Sequence, residues 1–276
     1  MKHIGLALGG GGVRAMAHVP ILEAMDHSGL KISALAGTSM GAILGALYAS
    51  GLTGEAIRQK IRRQAGLDGL KQKTFAGKSS LLLQWLKMVK FDSGRGGLLR
   101  ADGFLTFLLD EIRDTTFEDL KIPLQVVTAD FWTGEEVVFS SGPLLPALEA
   151  SMAIPGIFSP VSFGGRVLID GGMVNNVPYD RLTDGCDITI AIDVTPRRHP
   201  GKRQRPTLVE SILGMYDILI DTAMARKLTN SSPSIYFRPG LDNVMTLDFS
   251  KITSVWAQTE PAMGDLMKQI SQLASG

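Results

Sequence analysis

The pentapeptide Gly37-Thr38-Ser39-Met40-Gly41 constrains this chain more than any other stretch. It follows the short apolar run Ile32 to Ala36 and opens the small, apolar segment Ala42 to Ala49. The first run reads as a strand and the second as a helix packed at close range. A Gly-x-Ser-x-Gly at a strand-to-helix junction is the signature of a nucleophile elbow. The turn leaves no room for side chains at Gly37 and Gly41. It holds the Ser39 hydroxyl clear of the sheet at a helix N-terminus, where backbone N–H groups favour developing negative charge. The pentapeptide alone recurs by chance; its place between strand and helix gives it weight.

The same region imitates a membrane span. No charged residue lies between Lys31 and Glu55, which is long enough to cross a bilayer, and Gly37, Gly41 and Gly45 repeat at the spacing of membrane helix pairs. Against this, the stretch is poor in large apolar residues, carries Ser33, Thr38, Ser39 and Ser50, and is broken by glycines. Strand, turn and buried helix account for it better. Lys2, Ile4 to Leu8 and Ala15-Met16-Ala17 likewise imitate a secretory leader, but the apolar run is only five residues and is followed by glycines and Arg14. Cys186 is the one cysteine. An internal disulfide is therefore excluded, and a cytoplasmic, reducing setting is expected. A net charge of +1 excludes overall electrostatic attachment to nucleic acid or membrane, so no nucleic-acid partner is expected. With 276 residues, 45% of them hydrophobic, the chain suits one large α/β domain over 1–276.

A second constellation lies near the N-terminus. Ile4 to Leu8 is a strand candidate, Gly9-Gly10-Gly11-Gly12-Val13-Arg14-Ala15 follows, and a helix is expected from about Met16 to His27. Pro20 is tolerated only in that helix's first turn, which fixes its start beside the loop. Consecutive glycines let backbone N–H groups converge on an anion. As a nucleotide cradle the loop fails two requirements. The last glycine of Gly-x-Gly-x-x-Gly is Ala15, and the strand after it ends in the elbow without an acid. As an oxyanion hole it would stabilise the negative oxygen of a tetrahedral acyl intermediate, and a serine nucleophile fewer than thirty residues away favours that reading. Arg14 is read as an anchor of the loop, as added positive charge, or as an ordinary surface salt bridge.

A serine nucleophile needs a base. The four histidines are His3, His18, His27 and His199, and none stands at the late strand-end position of a Ser-Asp-His series. His199 falls in a basic loop, and His18, in the first turn after the glycines, reads as structural. Asp170 is the better candidate. Arg166 to Ile169 reads as a strand, with Asp170-Gly171-Gly172 at its end. The two glycines permit a sharp turn and open access, although an aspartate at a strand end is also a common turn former.

At this point the chain resembles the patatin-like phospholipase family, especially its small bacterial members. The match runs collinearly from Ile4 to about Val194. Gly9 to Ala15 matches the family's oxyanion loop, giving Gly10, Gly11 and Gly12 as oxyanion-hole residues supported by Arg14, and Gly37 to Gly41 matches its elbow. Thr116-Phe117-Glu118-Asp119-Leu120-Lys121-Ile122-Pro123-Leu124, Thr128-Ala129-Asp130 and Ala150-Ser151-Met152-Ala153-Ile154-Pro155-Gly156-Ile157-Phe158 are similar to further family blocks. Asp170-Gly171-Gly172-Met173-Val174-Asn175-Asn176-Val177-Pro178 is similar to its aspartate motif. Ala15 departs from the pattern, since many members carry glycine there. The resemblance implies a Ser39–Asp170 dyad, in which Ser39 attacks an ester carbonyl, Asp170 takes its proton and an acyl-enzyme forms. It implies hydrolysis of lipid carboxylic esters of the phospholipase A or lysophospholipase kind, with no metal and no cofactor. A short-chain carboxylesterase and a lipid-sensing adaptor on the same fold are the alternatives.

The remaining pattern fits a three-layer α/β/α sandwich with a mainly parallel sheet. Strands are expected at Leu124 to Ala129, Glu136 to Ser140, Arg166 to Ile169 and Ile188 to Val194. Helices are expected at Glu55 to Arg63, Ala101 to Ile112, Leu144 to Met152 and Leu208 to Leu228. The segment 195–276 is taken as a C-terminal helical part of the same domain. Leu81 to Phe91 is apolar with two lysines and Trp85, and reads as a lid or core helix or as a peripheral membrane contact. Arg197 to Pro206 is a basic, proline-bearing loop. The Leu208 to Leu228 helix is apolar on several sides, so burial is the default reading and a homodimer contact the second.

Overall fold

A computed structural model describes residues 2–67, 90–91, 99–100, 109–197 and 205–275. Most of Leu81 to Phe91, most of the expected helix Ala101 to Ile112, and most of the basic loop Arg197 to Pro206, His199 included, lie outside the described residues. Lys90–Phe91 and Leu99–Arg100 pair as a small antiparallel ribbon (β3 and β4), and Asp110–Ile112 forms a 3-10 turn.

The main sheet has eight strands: β1 (Ile4–Leu8), β2 (Ile32–Thr38), β5 (Leu124–Asp130), β6 (Glu136–Phe139), β7 (Val161–Phe163), β8 (Arg166–Asp170), β9 (Ile188–Ile192) and β10 (Ile235–Phe237). Their order is β10-β9-β1-β2-β5-β8-β7, with β6 also pairing β5. From β10 to β5 the strands are parallel; β6, β7 and β8 pair antiparallel. Expected strands are found within a residue or two. Val161–Phe163 and Ile235–Phe237 are additional. Each is only three residues long and gives too little alternation to stand out in sequence.

Side-chain alternation divides the core between the two sheet faces. Leu6, Leu8, Leu35, Ile190 and Ile192 join the larger core. That core also takes in residues of α1 (His18–Ser28), α2 (Met40–Ala49), α3 (Gly54–Gln64), α4 (Leu144–Ser151), α7 (Ile252–Thr259) and α8 (Met263–Ser275). Ala7, Ala36 and Ala191 face the other way, against Val177, Tyr179, Leu182 and Met224. Three alanines in register on neighbouring strands let the long helix α6 (Leu208–Asn230) and the short helix α5 (Gly172–Asn175) pack on that face. Helix, sheet and helix therefore make the expected three layers.

Leu208–Asn230 corrects one expectation. Only one side of this helix is buried, through Leu213, Ile220 and Met224; Leu208, Met215, Ile218 and Leu219 are exposed. The first helix also begins differently from its sequence reading. Gly12–Ala17 winds as 3-10 before the α-helix starts at His18, and Pro20 falls in the first α-turn, where its missing N–H costs nothing. Ala15 is fully buried in the 3-10 turn without a positive φ, so glycine is not required there.

Candidate active site

Register brings the motif ends to one level. Leu8 pairs with Gly37 on one side and Ile192 on the other, so the glycine loop leaves the sheet beside the turn after β2. Thr38 pairs with Val127 and Thr128 with Asp170, which stands Asp170 almost level with Ser39 across β5.

Ser39 is held at φ 55, ψ −130, a conformation that costs a non-glycine residue on the order of 1–3 kcal/mol. Its surroundings over-determine it. The Ser39 N–H donates to Ser151 Oγ at 2.8 Å, and the Ser151 hydroxyl donates to the Val127 carbonyl at 2.7 Å. A Cβ at Gly37 would lie 2.6 Å from Ala42 Cα, and one at Gly41 would lie 2.2 Å from the Leu8 carbonyl oxygen. Both are impossible approaches for an L side chain, so the turn demands glycine at each position. Ser39 then caps α2, whose Ala42 N–H donates to the Ser39 carbonyl at 3.0 Å.

Asp170 is the last residue of β8 and is fully buried. Its Oδ1 accepts the Gly172 N–H and the Tyr216 hydroxyl, both at 2.7 Å. Oδ2 is buried with no hydrogen bond of ordinary geometry. Burial raises the pKa to about 6; the Ser39 hydroxyl, then Gly172 N–H and Tyr216 hydroxyl oppose the rise. A carboxylate with pKa near 6 is mostly ionised at neutral pH yet a far better base than a solvated one. Gly171 and Gly172 are needed for packing: a Cβ at Gly171 would meet the Val127 carbonyl at 2.5 Å, and one at Gly172 the Tyr216 hydroxyl at 2.3 Å.

The glycine loop is tied to both. Gly10 N–H donates to the Asn176 carbonyl at 3.3 Å and its carbonyl accepts Asn176 Nδ2 at 3.3 Å. A Cβ on Gly10 would lie 3.0 Å from Ser39 Cβ. Gly12 has φ 58, and a Cβ there would meet the Thr246 carbonyl oxygen at 2.1 Å. Among the described residues, no partner takes the N–H of Gly11 or Gly12. The Gly10 N–H, by contrast, is already engaged.

Arg14 is an anchor and not a surface salt bridge. It is buried, and its guanidinium grips Asp217 with two bonds of 2.9 and 2.7 Å, Thr246 Oγ1 at 3.0 Å and the Gly11 carbonyl at 3.2 Å. His18 holds the loop from the other end, with Nε2 2.8 Å from the Gly9 carbonyl. Burial lowers its pKa to about 4, so the ring is neutral and Nε2 carries the donated proton. His3 is exposed beside Asp187, and His27 is exposed at the end of α1. Neither is near Ser39 in the sheet.

Sequence reasoning missed Tyr216, Asp217, Thr246 and the role of Ser151. The first three lie beyond Val194, where no motif guides the eye. Ser151 stands inside a recognised block, yet only the fold shows that its hydroxyl bridges two backbones.

A strained serine above a mainly parallel sheet, beside a buried carboxylate, has the geometry of a nucleophile elbow in an α/β protein. A sequence model of the family described as patatin-like phospholipase matches residues 6–183, and the chain belongs to that family. An NTE family protein of Mycobacterium tuberculosis, itself uncharacterized, is 31% identical over 231 residues, covering 82% of this chain and 59% of that protein. Patatin-like phospholipase domain-containing protein 7 of Rattus norvegicus is 31% identical over 95% of the chain and 21% of its own length. Lysophospholipase NTE1 of Kluyveromyces lactis is 26% identical over 92% and 18%. The chain thus spans 59% of the mycobacterial relative and about a fifth of the other two. ExoU of Pseudomonas aeruginosa, in complex with SpcU, shares the fold at a TM-score of 0.52 and 16% identity, over 99% of this chain and 52% of that one.

Proposed function

We propose that the chain is a serine acyl hydrolase that cleaves carboxylic esters of lipids, of the phospholipase A or lysophospholipase kind. One observation carries the reading: the strained Ser39 stands level, across β5, with a fully buried carboxylate, one oxygen of which is fixed by two donors while the other is buried without a hydrogen bond. The lysophospholipase name of the yeast relative supports the substrate class.

The Ser39 oxygen attacks the ester carbonyl carbon as Asp170 takes the hydroxyl proton. The carbonyl oxygen becomes an oxyanion facing the N–H groups of Gly11 and Gly12. Gly10 serves this loop by its close packing on Ser39, since its own donor is spent on Asn176. The intermediate collapses, the leaving alcohol takes the proton from Asp170, and water then releases the acid by the same steps in reverse roles. Tyr216 is a positioning residue. By donating to Oδ1 it stabilises the ionised form of Asp170 and fixes its orientation. No metal or cofactor enters these steps.

The segment after Val194 is proposed as part of the same domain, because Ile235–Phe237 extends the sheet and Tyr216, Asp217 and Thr246 reach the site. No described helix is long and apolar enough to cross a membrane. A cytoplasmic setting belongs to the proposal on the strength of the half-buried free thiol of Cys186, and a place peripheral to the membrane on the strength of the proposed lipid substrate.

The test is a fluorophosphonate probe on the folded protein. A single label at Ser39, absent in Ser39→Ala, is expected. A label elsewhere, or none, removes the hydrolase reading in favour of an adaptor.

A further inference from the structure

Lys227 lies on α6 beyond Tyr216, about 16 Å further along the axis at about 1.5 Å per residue. Its ammonium is nonetheless spent on the chain that follows Asp170. It donates to Asn175 Oδ1 at 2.6 Å, to the Val177 carbonyl at 2.9 Å and to the Asp180 carboxylate. It also stands 4.3 Å from the centre of the Tyr179 ring. An ammonium has three donors and no acceptor, so this one is committed to the stretch from Asn175 to Asp180.

That stretch and α5 before it support every part of the candidate site. Thr38, the residue before Ser39, donates its buried hydroxyl to the Asn175 carbonyl at 2.8 Å. Asn176 exchanges two bonds of 3.3 Å with Gly10, which packs on Ser39. Gly172 donates to Asp170. Asn175 is the node. Its carbonyl holds the elbow, its Oδ1 takes Lys227, and its Nδ2 donates to Glu136 and Asp180, each at 3.0 Å.

Packing does not duplicate this tie. A cleft of about 340 Å³ lies between α5 and α6, with Gly172, Val174, Asn175, Asn176, Met224 and Lys227 in its walls. A close-packed interface holds its parts by contact on all sides. Here α5 borders open space, and the polar bridge from Lys227 spans the gap. Without the ammonium, Asn175 Oδ1 and the Val177 carbonyl lose a donor, Asp180 loses its hydrogen-bonded cation, and the stretch has room to shift.

We infer that Lys227 is a positioning residue of the hydrolase: its ammonium fixes Asn175 and, through the Asn175 carbonyl and Thr38, the elbow that presents Ser39 to Asp170. The role rests on the serine acyl hydrolase reading. Lys227→Met keeps the stem and removes the donors. It is expected to fold and to lose kcat roughly tenfold to a hundredfold with KM little changed, and its fluorophosphonate labelling at Ser39 slows by a similar factor. Lys227→Ala opens the vacated channel to the cleft. In that variant n-propylammonium restores kcat saturably, and 1-propanol does not. Thr38→Val combined with Lys227→Met loses little more than the worse single variant, because both cut one path. A lysine that only adds stability would lower Tm, leave the kcat of folded protein intact and show no rescue specific to the amine.

Wild-type kcat in folded Lys227→Met overturns the inference, as do equal rescue by propanol and additive losses in the double variant. If neither Lys227 variant folds, Thr38→Val decides: a fall in kcat sustains the path through Asn175, and unchanged turnover overturns it. The wild type is the control for the underlying reading. No label at Ser39 there removes the hydrolase and the inference together, whereas a labelled wild type with unaffected variants removes the inference alone.

Discussion

The Tyr216 hydroxyl donates to Asp170 Oδ1 at 2.7 Å across 46 positions of sequence. Its neighbour Asp217 grips Arg14 and through it the glycine loop. Two consecutive residues of one helix therefore hold the candidate base and the candidate oxyanion loop in a single rigid relation. A displacement of α6 moves both.

For Tyr216→Phe, the ascending limb of the pH profile of kcat/KM moves upward. With Asp170 as the base, wild-type activity is expected to rise through about pH 6 as that carboxyl loses its proton. Removing the hydroxyl deletes a donor that favours the ionised form, so the limb shifts to higher pH and the rate at neutral pH falls several-fold. A merely structural tyrosine would lower stability without moving the limb, so initial rates from pH 5 to 9 separate the two roles.

Asp170→Asn loses turnover by roughly a thousandfold or more with the fold intact, because an amide accepts no proton. His18→Ala retains far more activity than Asp170→Asn, since that ring anchors the loop at Gly9 and takes no proton from Ser39. Hydrolysis rates with circular dichroism as folding control decide between them; a folded Asp170→Asn that remains active defeats the dyad.

Asp217→Asn leaves the buried Arg14 guanidinium without a countercharge, held by the Thr246 hydroxyl and the Gly11 carbonyl. Breaking one side of a buried ion pair costs about 3 kcal/mol or more, and the 14% exposure of Asp217 points to the lower end. A lowered Tm is expected, together with slower turnover from a loosened loop.

Asp170 and His18 pull stability in opposite directions with pH. The folded-state pKa of Asp170 is raised to about 6. Its contribution is full below the unfolded value near 3.8 and is lost as pH rises through 6. The folded-state pKa of His18 is lowered from 6.5 to about 4; its contribution is present above 6.5 and is lost as pH falls toward 4. Each amounts to about 3 kcal/mol at most, and over the shared window they largely cancel. Removing one unmasks the other. Asp170→Asn becomes more acid-sensitive between pH 6.5 and 4, whereas His18→Gln gains stability on acidification. Denaturant midpoints at pH 4.5 and 7 test both signs.

Ser151→Ala strips the bridge between the Ser39 N–H and the Val127 carbonyl. Two buried backbone groups lose their partner, at about 1–3 kcal/mol each, and the strained elbow loses a restraint. A lower Tm is expected with a fall in kcat larger than any change in KM.

The sequence by itself determined the elements whose signals are local. Glycines at 37 and 41 sit where the turn admits no Cβ. The apolar runs of β1, β2, β5 and β9 are the buried strands of the sheet's middle. The pairing of a serine at one strand end with an aspartate at another was legible because each stands in its own compact motif. Tertiary structure alone decided the rest. Tyr216 and Asp217 look like ordinary residues of an apolar helix until α6 is laid across the site. Arg14 reads as a loop anchor, as added positive charge or as a surface salt bridge until burial pairs it with Asp217. The exposed Leu208, Met215, Ile218 and Leu219 are indistinguishable by hydrophobicity from the buried Leu213, Ile220 and Met224 on the opposite face of the same helix. Sequence fixes which residues are apolar, while which helix face meets the sheet depends on contacts between chain segments far apart in sequence, and short-range periodicity does not record those.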